Sequence, residues 1–256
     1  MPPTDATAGT GPAPTHPDST GPRPATADPR TSPFGRFTVE DDDPDSDDTL
    51  DLQLPAEYVA LGAGTTAGLL GRLATWGPVT TPAGSFRLVP VRIDQDLPLV
   101  HRWMNDPAVA AFWKLAGTPD RTERHLRARM HSDGRCAPCL GVLDGTPMSY
   151  WEVYRADLDL LARRYPARPH DTGIHLLVGE AADRSRGLGS ALIRAVADLI
   201  LDRRPACARV VAEPDLRNTP SVAAFLSAGF RFADEIDLPG KRAALMIRDR
   251  VLRDVL

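Results

Sequence analysis

The chain has 256 residues, 42% of them apolar, with a formal net charge of −4 at pH 7, room for one large domain or one ordinary domain with tails. The charge is uneven: residues 1–50 hold three arginines against ten acids, a net of −7, whereas the remainder carries 27 basic and 24 acidic residues. No basic stripe interleaved with aromatics exists, which argues against nucleic acid as a main partner, and no run of about 18 apolar residues argues for a membrane span.

Residues 1–50 are dense in Pro, Thr, Asp and Gly, hold ten of the 25 prolines and end in "EDDDPDSDD". Such a stretch buries too little apolar surface to offset chain entropy and reads as a disordered acidic tail, either solvating or partner-binding. Its start, "MPPTDATAGT", has neither a basic n-region nor an apolar core, so no secretory signal is expected and the protein reads as cytoplasmic and reduced. Residues 51–80 read as a linker or loosely packed extension, too rich in Gly and Thr for a robust helix. The folded domain is expected over 81–256.

"GSFRLVPV" (84–91) predicts a strand. "DLPLVHRWMND" (96–106) predicts a helix with Asp96 as cap and Pro98 in the first turn, and "TPDRTERHLRARMHSD" (118–133) a second, polar-faced helix. Cys136 and Cys139 form one C-x-x-C. With only His131 nearby and Cys207 far along the chain, they fall short of a four-ligand zinc site and read as two ordinary thiols near a turn. "CLGVLDGTPMSYWEVY" (139–154) predicts a hairpin about Asp144-Gly145. "GIHLLVGE" (173–180) is apolar on both faces and predicts a central strand. After Gly189 a helix places Leu192, Val196, Leu199 and Ile200 at i, i+4, i+7 and i+8. A strand at 208–215, a helix at 218–230 ending at Gly229, and strands at 232–239 and 242–249 close the chain.

The junction between strand 173–180 and the helix after Gly189 is the most informative stretch. A helix N-terminus exposes unpaired N–H groups and a partial positive charge. Glycines there let a ligand approach the backbone closely, and Arg184 and Arg186 add positive charge. This describes a phosphate or pyrophosphate site; the alternative is an Arg-Gly surface loop that merely caps the helix. A P-loop needs Gly-Lys-Ser/Thr, and neither lysine, Lys114 or Lys241, lies here. A dinucleotide fingerprint would need glycine where Leu192 stands.

Arg184-x-x-Gly187-x-Gly189 resembles the R/Q-x-x-G-x-G/A signature of the GNAT acyltransferase superfamily, and Asn218 before a helix ending in Ala-Gly-Phe resembles its second signature. Six blocks in order — "HRWMNDPAVAAFW" (101–113), "GTPMSYWEVY" (145–154), "GIHLLVG" (173–179), "VVAEPDLRN" (210–218), "AGFRF" (228–232) and "DLPGKRAALMIRDR" (237–250) — are similar to the siderophore-biosynthesis N-acyltransferases, a family that acylates lysine and N-hydroxylysine. The resemblance covers 84–250. A Gly-Tyr-Tyr run frequent in that family is replaced here by Ala162-Arg163-Arg164-Tyr165.

The resemblance implies an α/β (α+β) GNAT fold: a mixed, mostly antiparallel sheet flanked by helices and splayed between the strands at 173–180 and 208–215. It implies acetyl-CoA or another acyl-CoA as co-substrate, its pyrophosphate cradled by Arg184, Arg186, Gly187, Leu188, Gly189 and Ser190 and its pantetheine arm beside Asn218. It implies His175 as an acceptor contact and Asp215 as the base. From the residues alone, His175 sits in an otherwise apolar strand, where a histidine is usually a satisfied core residue, and Asp215 could equally form a turn or cap the next helix. Backbone N–H groups at Leu177, Val178 and Gly179 are expected to polarise the thioester carbonyl. Trp103, Glu152 and Tyr154 are candidates for the acceptor pocket, with Glu152 for a cationic end and Arg242 for a carboxylate; for each, a structural or surface role is the alternative.

The expected reaction is acyl transfer to a lysine-, ornithine- or cadaverine-like amine or hydroxylamine in hydroxamate siderophore assembly. Deprotonating a lysine amine at pH 7 costs about 4–5 kcal/mol, whereas an N-hydroxylated amine is already neutral and asks only for a weak carboxylate base. No metal is required. Partners are the small amine and an acyl-CoA or acyl carrier protein, with no nucleic acid or membrane, in a monomer or homodimer. The alternatives are acetylation of another amine such as an antibiotic, or a non-catalytic acyl-CoA-binding module.

Overall fold

The computed structural model describes residues 69–184 and 186–253. The acidic tail of 1–50 and most of the 51–80 extension, up to residue 68, lie outside the described residues. Among the described residues, no helix is long and apolar enough to cross a membrane.

Eight strands form one mixed sheet: β1 (Val79–Thr81), β2 (Gly84–Pro90), β3 (Cys136–Leu143), β4 (Thr146–Arg155), β5 (Thr172–Val178), β6 (Arg209–Ala212), β7 (Arg231–Leu238) and β8 (Lys241–Asp249), in the order β1-β2-β3-β4-β5-β6-β8-β7. Every neighbouring pair is antiparallel except β5 and β6. Those two pair only at Thr172–Val210 and Gly173–Val211, then part. The paired end is pinned from both sides. The buried Asp171 carboxylate, just before β5, accepts hydrogen bonds from Nε (3.0 Å) and Nη2 of Arg209 at the start of β6, and from the Tyr165 hydroxyl (3.0 Å).

Among the described residues, five α-helices flank the sheet: α1 (Ile93–Met104), α2 (Pro107–Trp113), α3 (Pro119–Met130), α4 (Leu188–Arg203) and α5 (Thr219–Ser227). One face packs Trp151, Val153 and Ile174 against Leu192, Ile193, Val196 and Ile200 of α4. The other packs Leu140, Tyr150 and Leu177 against Val100, Trp103 and Leu126 of α1 and α3. Each such side chain contributes about 1.5–3 kcal/mol on burial, so the predicted stripe of α4 is what holds that helix on the sheet.

Several local expectations change. Helix α1 begins at Ile93, so Asp96 lies inside it and reaches back to accept the Arg92 N–H (2.7 Å), and Pro98 is interior rather than in the first turn. Helix α2, read only as part of a motif, has its own start and stop signals. The Asp106 carboxylate accepts the Ala108 N–H (2.9 Å), Pro107 opens the helix, and Lys114 ends it in the left-handed conformation (φ 56°). Strand β1 emerges from the segment expected to be loosely packed. The Asp144-Gly145 turn has positive φ at both positions (47° and 84°), as a two-residue hairpin turn demands.

Cys136 opens β3 directly after the turn at Asp133-Gly134 and Cys139 lies within the strand; three residues apart, they face opposite sides of the sheet. Cys139 packs with Trp151 and Cys136 with Tyr154, and burial pushes the Cys136 thiol up to about 12.

Candidate active site

His175 on β5 stands directly opposite Glu152 on β4. Its Nδ1 lies 3.0 Å from Glu152 Oε2, and its Nε2 makes a very short contact with Oε1 of Glu213, just past the end of β6. A neutral imidazole carries one N–H and could satisfy only one of these carboxylates; both contacts are favourable only for imidazolium. Burial alone would lower the His175 pKa, but the charges and hydrogen bonds of Glu213 and Glu152 override it and push it up to about 9.

The two acids are buried and heavily bonded. Glu152 is 2.6 Å from His125 Nε2 and 3.1 Å from Arg129 Nε, and it accepts the Tyr150 hydroxyl at 3.0 Å. Glu213 accepts the Tyr154 hydroxyl (2.8 Å), and the Lys241 Nζ stands 3.7 Å from its Oε1. Burial would raise both acids, but these cations and donors hold them low, Glu213 at about 2. The Tyr154 ring lies 4.8 Å from that of His175, and Trp113 meets it edge-on at 6.2 Å.

The pH dependence of stability follows. A histidine raised from 6.5 to about 9 contributes stability that is fully present below 6.5 and lost as pH rises through 9. The depressed carboxylates contribute stability that is present above their ordinary range near 4.5 and lost as pH falls through about 2. Melting temperature should therefore plateau between about 4.5 and 6.5 and decline from 6.5 to 9. In a His175→Gln variant that alkaline decline should flatten; an unchanged slope would show that His175 is not the group titrating.

Asp215 lines the same cavity but does not hydrogen-bond His175. Its Oδ1 accepts the Arg217 N–H (2.9 Å) and Nε (3.0 Å), and its Oδ2 accepts Nη2 (2.7 Å). The Arg217 guanidinium holds its carboxyl at about 2.

The cavity has a volume of about 400 Å³. A second space, of about 690 Å³, runs from the end of β5, between α2 and α5, to the start of α4, past Gly187, Gly189 and Ser190. The two share Phe112, Trp113, Leu176, Asn218 and Ser221 as walls and so meet at the splay. At the α4 end, Gly187 sits in the left-handed region (φ 75°) as N-cap, no side chain caps the helix and its first turn holds no acid, so its leading N–H groups are left for a ligand. Asn218 caps α5 by accepting the Ser221 N–H (3.3 Å) and borders both spaces.

Other expected site residues fall elsewhere. Arg184 borders the groove, but its guanidinium donates to the carbonyls of Val178 (3.1 Å) and Gly179 (2.5 Å) and to Asp106 (2.9 Å), so it ties the end of β5 to the start of α2. Arg186 is exposed and forms no hydrogen bond among the described residues. Gly179 gives its N–H to Met148 (2.8 Å), and alternation turns Leu177 the same way, so Leu176 and Val178 present N–H groups to the gap instead. Trp103 lies beneath Gly179, where a Cβ would overlap the indole, and donates to Glu180 (3.1 Å); Trp113 lines the cavity in its place. Tyr154 does not line the cavity; its hydroxyl donates to Glu213, which does. Arg242 is exposed and paired with Glu235 (2.5 Å), while its neighbour Lys241 lines the cavity because adjacent strand residues face opposite ways.

Trp113, His125, Arg129, Glu213, Lys114 and Lys241 were not singled out from sequence. Glu213 stood in the E-P-D block. His125 and Arg129, four apart on α3, share a helix face that acquires meaning only once that helix docks on Glu152.

Residues 92–238 match the model of the acetyltransferase (GNAT) domain family. The chain is similar to a lysine N-acyltransferase MbtK of Mycobacterium sp. (strain MCS), 34% identical over 69% of this chain and 72% of that protein. It is also similar to an N(6)-hydroxylysine O-acetyltransferase of Escherichia coli, 35% identical over 58% of this chain and 47% of the other, about half its length. Among solved structures, an uncharacterized protein of Bacillus halodurans superposes with a TM-score of 0.66 at 31% identity, over 70% of this chain and 94% of the other.

Proposed function

The chain belongs to the acetyltransferase (GNAT) domain family and is an N-acyltransferase, and from that premise we propose that it transfers an acyl group from acyl-CoA to the N-hydroxylated side-chain amine of a lysine- or ornithine-like substrate, in hydroxamate siderophore assembly. The observation that carries this reading is the meeting of groove and cavity at the β5–β6 splay. A thioester lying in the groove, with its diphosphate on the first turn of α4, places its carbonyl at the residues the two spaces share.

There the acceptor nitrogen attacks the carbonyl carbon, with the oxyanion facing the N–H groups of Leu176 and Val178. Asp215 takes the proton from nitrogen as the carbon–sulfur bond breaks; coenzyme A leaves as the thiolate and recovers that proton by way of Asp215 and solvent, ending as the thiol. A carboxylate held at about 2 is far too weak to strip a lysine ammonium of pKa near 10.4. It is adequate for a hydroxylamine that binds neutral, and this favours the N-hydroxylated acceptor. His175, charged and clamped by two acids, is no base; it fixes Glu213 at the edge of the cavity.

Thiol release should be followed with acetyl-CoA against N6-hydroxylysine, N5-hydroxyornithine, lysine and an aminoglycoside. Turnover fastest with a hydroxylamine is expected. Faster turnover with lysine would overturn the acceptor assignment, and faster turnover with the aminoglycoside would overturn the pathway.

A further inference from the structure

Of the 30 cationic side chains in the sequence, only two are lysines, Lys114 and Lys241, and both line the cavity that holds His175, Glu213 and Asp215. They come from opposite sides. Lys114 ends α2, and Lys241 opens β8 after the turn at Gly240. Lys241 donates to the Glu213 carbonyl (2.5 Å) and stands near its carboxylate.

The Lys114 ammonium donates to the Gly240 carbonyl (2.6 Å), and among the described residues no carboxylate pairs with it. Two of its three N–H donors remain free. Among the described residues it is the cation of this cavity without an acid, whereas His125, Arg129, His175 and Lys241 each have one. Its backbone lies in the left-handed region (φ 56°), at a helix-ending position that ordinarily takes glycine. Gly240 opposite, at φ 80°, leaves the ammonium room: a Cβ there would stand 3.2 Å from Nζ. A strained lysine whose side chain reaches the rim of a substrate-sized cavity, with its charge unmatched, is built for an anion. An ammonium with two spare donors suits the two oxygens of a carboxylate.

We propose that Lys114, assisted by Lys241, grips a carboxylate carried by a substrate away from the reacting atoms. This deepens the acyl-transfer reading and rests on it. Two sources share that chemistry: the α-carboxylate of an amino-acid acceptor, and the distal carboxylate of a dicarboxylic acyl group on the donor.

The test compares wild type, Lys114→Gln and Lys114→Arg in steady-state turnover of N6-hydroxylysine and N-hydroxycadaverine, which differ by one carboxylate, each with acetyl-CoA and with succinyl-CoA. Lys114→Gln should lower kcat/KM for the carboxylate-bearing substrate about ten- to a hundredfold, mainly through KM, and erase its advantage over the carboxylate-free counterpart. Lys114→Arg should recover part of it. Loss of preference for hydroxylysine assigns the carboxylate to the acceptor, and loss of preference for succinyl-CoA assigns it to the donor; either upholds the inference. Unchanged preference ratios overturn it. If wild type turns over none of these pairs, the acyl-transfer reading falls, and calorimetry decides separately. Heat of N6-hydroxylysine or succinyl-CoA binding that Lys114→Gln abolishes upholds the carboxylate site; equal heat from both proteins, or none, overturns it.

Discussion

Replacing His175 with alanine should damage the protein twice, in turnover and in stability. The imidazolium bridges two buried acids, and its removal leaves Glu213 with only Lys241, 3.7 Å away, as a counter-charge. Breaking a buried ion pair by deleting one partner costs about 3–5 kcal/mol. Because Glu152 keeps Arg129 and His125, the loss should fall near 3 kcal/mol, a melting temperature lower by roughly 10 °C for a domain of this size. Turnover should fall by up to about 10²-fold, since the cavity wall built on Glu213 shifts while the proposed base, Asp215, is untouched. A double variant, His175→Ala with Glu213→Gln, should regain part of the lost stability because the orphaned charge is gone. A melting temperature equal to that of wild type in the single variant would mean that the bridge carries no net charge interaction.

Asp215→Asn should give the opposite balance. The Asp215–Arg217 pair joins a buried acid to an arginine whose side chain is 71% exposed, so its loss should change stability by at most about 1 kcal/mol. If Asp215 collects the proton, kcat should nevertheless drop about 10²- to 10⁴-fold with the donor KM little changed. Stopped-flow or steady-state thiol release, together with a thermal melt of the same sample, separates the two effects. Retention of more than about a tenth of turnover would move the base to Glu213, two residues earlier and on the same cavity wall.

The order of strands β2 to β8 along the chain and the helix after the Arg-Gly loop were legible in the sequence because each rests on local signals: apolar period, glycine placement and the Asp144-Gly145 turn; the mixed sheet and its splay were expected only through family resemblance. Family resemblance put His175 and Asp215 at one site, and the two do line one cavity; that His175 touches Glu213 of the same block rather than Asp215 was not legible. Nor were the finer assignments. Trp103 and Trp113 look alike as letters, and only the packing of α1 under Gly179 and of α2 over His175 separates them. Arg184 is consumed by two carbonyls of its own strand end, a destination fixed by how the loop folds back. Arg242 and Lys241 exchange roles because a one-residue shift in strand register exchanges faces. The imidazolium depends on two acids that lie 61 residues apart in sequence, Glu152 and Glu213, and only the pairing of β4, β5 and β6 brings them to one ring.

The Asp171–Arg209 clamp closes β5 and β6 at one end only. A wedge fixed at its apex has its opening set during folding, before any guest arrives. No rung of the sheet must be broken for a thioester to enter, because alternation turns the N–H groups of Leu176 and Val178 toward the gap rather than toward β4. A visitor with amides along its length can take those places as a missing strand would. Recognition then resembles completing an unfinished ladder more than prising one apart, and little of the binding free energy is diverted into deformation.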